Sequence, residues 1–100
     1  MSKIHRLERA RFSILTNDLK HCYICGKPKN SIHEIYFGKN RVNSMIYGCC
    51  VPLCFNHHTG SQGVHNNSKL DIMLKEVCQI KFMEVYPTIP FIDIFHKNYL

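Results

Sequence analysis

The sequence predicts a small α+β domain, stapled by a zinc ion and continued by one long helix. Three observations carry that expectation. Cys22-x2-Cys25 with Gly26 behind it, and Cys54-x2-His57 downstream, are two pairs of soft ligands at the spacing that closes on one tetrahedral ion. Two short apolar, β-favouring stretches lie between the pairs, as the arms of a hairpin would. An apolar stripe at helical spacing then runs from Leu70 towards Val85. One hundred residues make a single small domain with a limited core, so a metal staple is expected.

Charge and composition narrow the partners. Lys and Arg number 13 against 7 Asp and Glu, a formal charge of +6, which suits a polyanion such as nucleic acid or an acidic membrane surface. No stretch approaches the roughly 18 consecutive apolar residues of a membrane span, and the first residues lack the apolar core of a secretory signal. A cytoplasmic chain with no membrane partner is therefore expected. In that setting the six cysteines read as metal ligands and small buried side chains rather than as a disulfide framework. Cys49, Cys50 and Cys78 fall to the buried class.

Residues 1–19 form a basic arm or short helix, with Ile4, Leu7 and Ala10 on one face, and then an alternating run over 11–16 that predicts a strand. Residues 20–67 hold the zinc and metal core. Gly26 suits the positive φ of a zinc knuckle. Residues 32–37 and 45–53 predict the two strands, and the polar stretch 38–44 between them predicts a loop that projects Lys39 and Arg41. Pro52 donates no ladder hydrogen bond, so the second strand ends there or lies at an edge. Gly60 and Gly63 keep any helix begun at His57 short, or fold a loop back to His65. Residues 68–100 form the helical part. Ser68 with Asp71 three residues on predicts a helix start, and Leu70, Met73, Leu74, Val77, Ile80 and Phe82 predict a helix of about 17 residues that Pro87 stops. A short helix or turn over 90–95 then returns Phe91, Ile92, Ile94 and Phe95 to the core.

Cys22, Cys25, Cys54 and His57 fill a structural zinc site with no open position, and His58 is the alternative fourth ligand. That leaves a surplus of His33, Glu34, His58 and His65. Imidazoles suit a transition or other divalent metal, and a carboxylate can bind the ion or act as a base. Taken singly, each histidine reads as an ordinary polar residue at a strand or loop end. Together they offer an ion and a base, which suffice to hydrolyse a phosphodiester.

Over roughly residues 20–67, the pattern Cys22-x2-Cys25-Gly26, His33-Glu34-Ile35, Val51-Pro52-Leu53-Cys54-x2-His57-His58 and His65 resembles the HNH endonucleases, in particular small phage-encoded ones with a zinc-containing ββα-metal core. The later helix and tail are similar to those phage proteins too. The resemblance implies a treble-clef zinc core and a hairpin and helix wrapped round one catalytic divalent ion (Mg²⁺, Mn²⁺, Ni²⁺ or Zn²⁺). It also implies DNA as substrate, the host cytoplasm as location, and phage packaging or recombination proteins as partners. Carried over residue by residue, His33 is a metal ligand, and Glu34 stands where the general-base histidine usually does. His58 is the metal-binding histidine after the second zinc pair, and His65 is a further ligand or a phosphate contact. A register one residue along makes His33 itself the base. The motif's middle Asn meets Cys49, with Asn40 or Asn43 of the loop as substitutes. Lys39, Asn40 and Arg41 from the loop and Lys69 from the helix are the candidate DNA contacts. An exposed carboxylate is a weaker base than imidazole near neutral pH, so Glu34 also admits a second class of function. That class is a zinc-stabilised module that binds nucleic acid or protein without cutting.

Overall fold

The computed structural model describes residues 2–100. The Ser2 hydroxyl accepts a hydrogen bond from the His5 N–H at 3.2 Å and caps helix α1 (Lys3–Arg9), whose last turn carries Arg6 and Arg9 where cations suit the helix dipole. The strand expected over 11–16 is not formed. Its hydrogen bonds go elsewhere, because Ser13 Oγ donates to the Cys50 carbonyl at 2.6 Å and accepts from the Leu15 N–H. Phe12 lies over Gly48, where an added Cβ would stand 2.5 Å from the ring.

Strand β1 (Ser31–Glu34) pairs antiparallel with β2 (Cys50–Leu53), placing His33 opposite Val51 and Glu34 opposite Cys50. Their connection is not the expected loop. A 3₁₀ turn (Gly38–Asn40) runs directly into helix α2 (Arg41–Tyr47), which ends where Gly48 adopts φ 73°. The second strand therefore starts at Cys50 rather than Met45. The apolar run from 45 fits either period, and a left-handed glycine decides it by terminating a helix. Ser44 is buried inside this turn of chain. Its hydroxyl donates to the Tyr36 carbonyl and accepts from the Tyr36 N–H, folding α2 back against the end of β1. Pro52 sits within β2 opposite Ile32, and its carbonyl accepts from the Tyr23 N–H. A two-stranded sheet has only edges, so the missing donor costs no ladder bond.

A single helical turn, α3 (Phe55–His58), follows β2 directly. The long helix α4 (Ser68–Val85) is capped by Asn67, not Ser68, because the Asn67 side chain accepts from both Lys69 and Leu70 N–H groups. Pro87 follows the end of the helix, as expected. The inward face of α4 carries Leu74, Cys78, Gln79 and Phe82, whereas Met73 and Ile80 of the predicted stripe face outward. Helix α5 (Phe91–Phe95) returns Phe91 and Phe95 to the core and leaves Ile92 exposed. Tyr36, Phe82, Phe91 and Phe95 pack ring against ring there, with centroids 4.4 to 5.9 Å apart. The result is an α+β fold, and among the described residues no helix is long and apolar enough to cross a membrane.

Candidate metal centres

The first centre is built by a knuckle and by the turn that follows β2. Gly26 adopts φ 79° and donates its N–H to the Cys22 carbonyl, and Cys22 N–H reaches the Lys27 carbonyl, so Cys22 and Cys25 are bent onto one side. Cys54 follows β2 as the N-cap of α3 and His57 lies on the single turn of that helix, which delivers both to the same point. Cys25 Sγ is 3.7 Å from Cys54 Sγ, and His57 Nδ1 lies 3.3 Å from Cys54 Sγ and 3.7 Å from Cys22 Sγ. Ligands about 2.3 Å from a tetrahedral zinc stand about 3.8 Å apart along each sulfur–sulfur edge, and sulfur–nitrogen edges are slightly shorter. The four residues can thus hold a metal such as zinc, and it is His57 rather than His58 that lies with the three cysteines. All six cysteines are free thiols. Burial disfavours the Cys22 thiolate, but hydrogen bonds from the backbone N–H groups of Cys54, Cys25 and Ile24 outweigh it and bring the thiol down to about 6. A sulfur already poised as thiolate suits a metal ligand.

The second centre lies on the other side of α3. His33 comes from β1, His58 from the last position of α3, and His65 from the loop that doubles back, and their ligand nitrogens gather at one point. Gly63 makes that return possible. A Cβ there would stand 2.4 Å from the His58 carbonyl oxygen, and the close approach lets His65 N–H reach the same carbonyl. Ser31, two residues before His33 and on the same face of the strand, holds His58 Nδ1 at 2.8 Å. His58 Nε2 is thereby aimed at His65 Nε2, 3.1 Å away. Two nitrogens each about 2.1 Å from one ion stand about 3.0 Å apart at a right angle and about 3.4 Å apart at the tetrahedral angle, so the observed spacing lies within that range. His33 is 3 % exposed, and its Nε2 has no hydrogen-bond partner, a costly condition that a bound cation would relieve. Burial, with the positive charges of His58, His65 and Lys75, pushes His33 down to about 3. Burial and His65 lower His58 as well, and the Glu34 charge opposes them. An imidazole presents a lone pair to a metal only when it is neutral, and the three residues could together hold one ion.

Glu34 does not join the histidines. Neighbouring strand residues point to opposite faces, and the Glu34 carboxylate meets the Arg11 guanidinium and, at 3.5 Å, that of Arg41, which also pairs with Glu8 at 2.8 Å. The expected water base is thus the centre of an ion-pair network that ties α1, β1 and α2 together. The loop residues are divided likewise. Asn40 and Asn43 donate to the Phe95 and Ile94 carbonyls and brace α5, so neither takes the place of the motif's middle Asn. Arg41 is engaged with carboxylates, whereas Lys39 and Lys69 are exposed and, among the described residues, form no ion pair. Ser31, Arg11 and Phe37 are site neighbours that the sequence reading missed. For Ser31 the signal was available, since it shares the strand face of His33. Compared with known proteins, the chain matches no family model, no curated protein and no solved structure.

Proposed function

We propose that the chain is a metal-dependent DNA endonuclease of HNH type, with a treble-clef-like zinc knuckle beside a ββα-metal centre. The observation that carries the reading is the gathering of His33, His58 and His65, with the buried His33 Nε2 left without a partner. The order strand, strand, helical turn around that cluster supports it, with α2 standing where a hairpin loop was expected. A divalent ion bound there supplies a Lewis acid for a phosphate oxygen and a lowered pKa for water. The chain's own contribution is to hold three neutral imidazoles in place, through Ser31 on His58 and Gly63 behind it. The exposed His65 is the group an incoming phosphodiester meets first. Water attacks phosphorus as the opposite P–O bond breaks. Imidazoles that hold the ion have no lone pair left for a proton, so the water's proton leaves to solvent and the leaving oxygen is protonated from solvent, while Glu34 braces the strand that carries His33.

Cleavage of supercoiled plasmid with added Mg²⁺, Mn²⁺ or Ni²⁺ tests the proposal. Wild type is expected to cut, His58→Ala to lose about 10²-fold or more, and Glu34→Gln to stay within about tenfold. Full activity of His58→Ala would sink the assignment, and loss in Glu34→Gln equal to that in His58→Ala would return Glu34 to the chemistry. The absence of a carboxylate from the cluster favours a second reading, a zinc-stabilised module that binds DNA without cutting. That module binds one tight zinc and no second, exchangeable ion.

A further inference from the structure

Beside the histidine cluster stands an aromatic ring that neither metal centre uses. Phe37 follows β1 and is 47 % exposed, although its ring is flanked on several sides. The His33 and His65 rings lie 5.9 and 6.2 Å from it, and Lys75 Nζ sits over the ring 4.4 Å from its centroid. Lys75 is itself fixed, paired with Asp71 at 2.9 Å and largely buried, so the cation is part of the ring's mounting rather than a mobile surface charge. Gly38, at φ 68°, turns the chain sharply after the ring and carries it to Lys39, which is exposed. Other apolar side chains are exposed too, Phe55 at 64 % among them, and what sets Phe37 apart is its place against His33, His65 and Lys75. Beside a phosphate site it has a natural occupant, because every nucleobase presents a flat π face. Bases inside a duplex are stacked on one another and present no such face, whereas unpaired bases do.

We infer that Phe37 is a stacking platform for an unpaired base next to the phosphate at the histidine cluster, so that the substrate is DNA with single-stranded character, such as a free strand, a flap or a branch. The inference rests on the endonuclease reading and extends it to the form of the substrate. Lys39 then lies on the path of the adjoining backbone and contributes a phosphate contact.

Fluorescence anisotropy with a labelled single strand and a duplex of equal length, without added divalent ion, tests it on the full, zinc-loaded chain. Wild type is expected to prefer the single strand. Phe37→Ala and Phe37→Leu are expected to lose about tenfold or more on the single strand and little on the duplex, while Phe37→Tyr keeps the preference. Leu retains apolar bulk without a π face, so it separates stacking from mere packing. A 2-aminopurine placed in the strand is expected to be quenched on binding to wild type and not to Phe37→Leu. Unchanged single-strand affinity in Phe37→Leu, or a wild-type preference for duplex, overturns the platform while leaving the nuclease reading intact. Failure of wild type to bind either DNA overturns both.

Discussion

At position 33 an imidazole is buried at the meeting point of three basic groups, and this sets a pH dependence that belongs to one residue. Folding depresses the His33 pKa from its ordinary value to about 3, chiefly through burial and then through His58, His65 and Lys75. The unfolded chain protonates this group below about 6.5 and the folded chain does not, so the folded state binds fewer protons between the two values. Stability from this source is complete above the unfolded pKa and is lost as pH falls towards the folded one. At pH 5 the loss is about 2 kcal/mol relative to pH 7.5. Urea unfolding of the chain without added divalent ion, at both pH values, measures it against His33→Gln. The variant is expected to lose about 2 kcal/mol less than wild type over that interval, because effects common to both, including zinc loss, cancel. Equal losses would show that His33 already titrates normally in the fold. That His33 belongs with His58 and His65 was legible from the sequence as a surplus of histidines over the zinc set and from the resemblance that placed them together. The direction of its neighbour was not. Glu34 turns away because a four-residue strand alternates its faces, and what awaits it there is Arg11, brought by a segment whose path no local pattern fixes.

At the level of elements, the loop between α3 and α4 decides whether the second centre exists. Its glycine at 63 lies against the backbone of His58 so closely that any side chain must displace one or the other. Gly63→Ala is therefore expected to open the cluster by moving His65 off His58, while Cys22, Cys25, Cys54 and His57, on the far side of α3, keep their arrangement. The expected result is a folded protein with one zinc per chain and an affinity for a second, exchangeable Mn²⁺ or Ni²⁺ weakened by about tenfold or more, read by isothermal titration. Retention of that affinity would mean that the loop adapts and that glycine is not needed. The short helix or returning loop could be read from its two glycines, α4 from its periodicity, and residues 90–95 as a helix or turn without a decision between them. The connection between the strands could not. Residues 41–47 carry too little helical pattern to outvote the β-favouring run beside them, and the deciding interactions are Ser44 with Tyr36 and Asn43 with the Ile94 carbonyl, both made across the fold.

At the level of the whole molecule, the candidate zinc ligands are not an appendage to the core. Cys22 and Cys54 belong to the same contiguous buried cluster as Leu53, Leu74, Phe82, Phe91 and Phe95, so the knuckle, the sheet and the two C-terminal helices share one interior. From the sequence a metal staple was expected, since a chain of this length buries little, but not that its candidate ligands would share one interior with both halves. That sharing follows from packing between residues far apart in the chain. A structural zinc contributes on the order of 10 kcal/mol to folding, comparable to the entire stability of a small domain. Chelation, or Cys54→Ser, is thus expected to lower the melting temperature by tens of degrees and to do so in one cooperative step. Far-UV circular dichroism follows the helices, dominated by α4, and near-UV signals follow Tyr47 and Tyr86 around Phe82 and Tyr36 against Phe91 and Phe95. With a shared interior the two probes coincide in the metal-free chain as they do in the loaded one. If instead the helical signal survives chelation while the near-UV signal is lost, α4 and α5 hold together without the sheet, and the zinc serves only to shape the site.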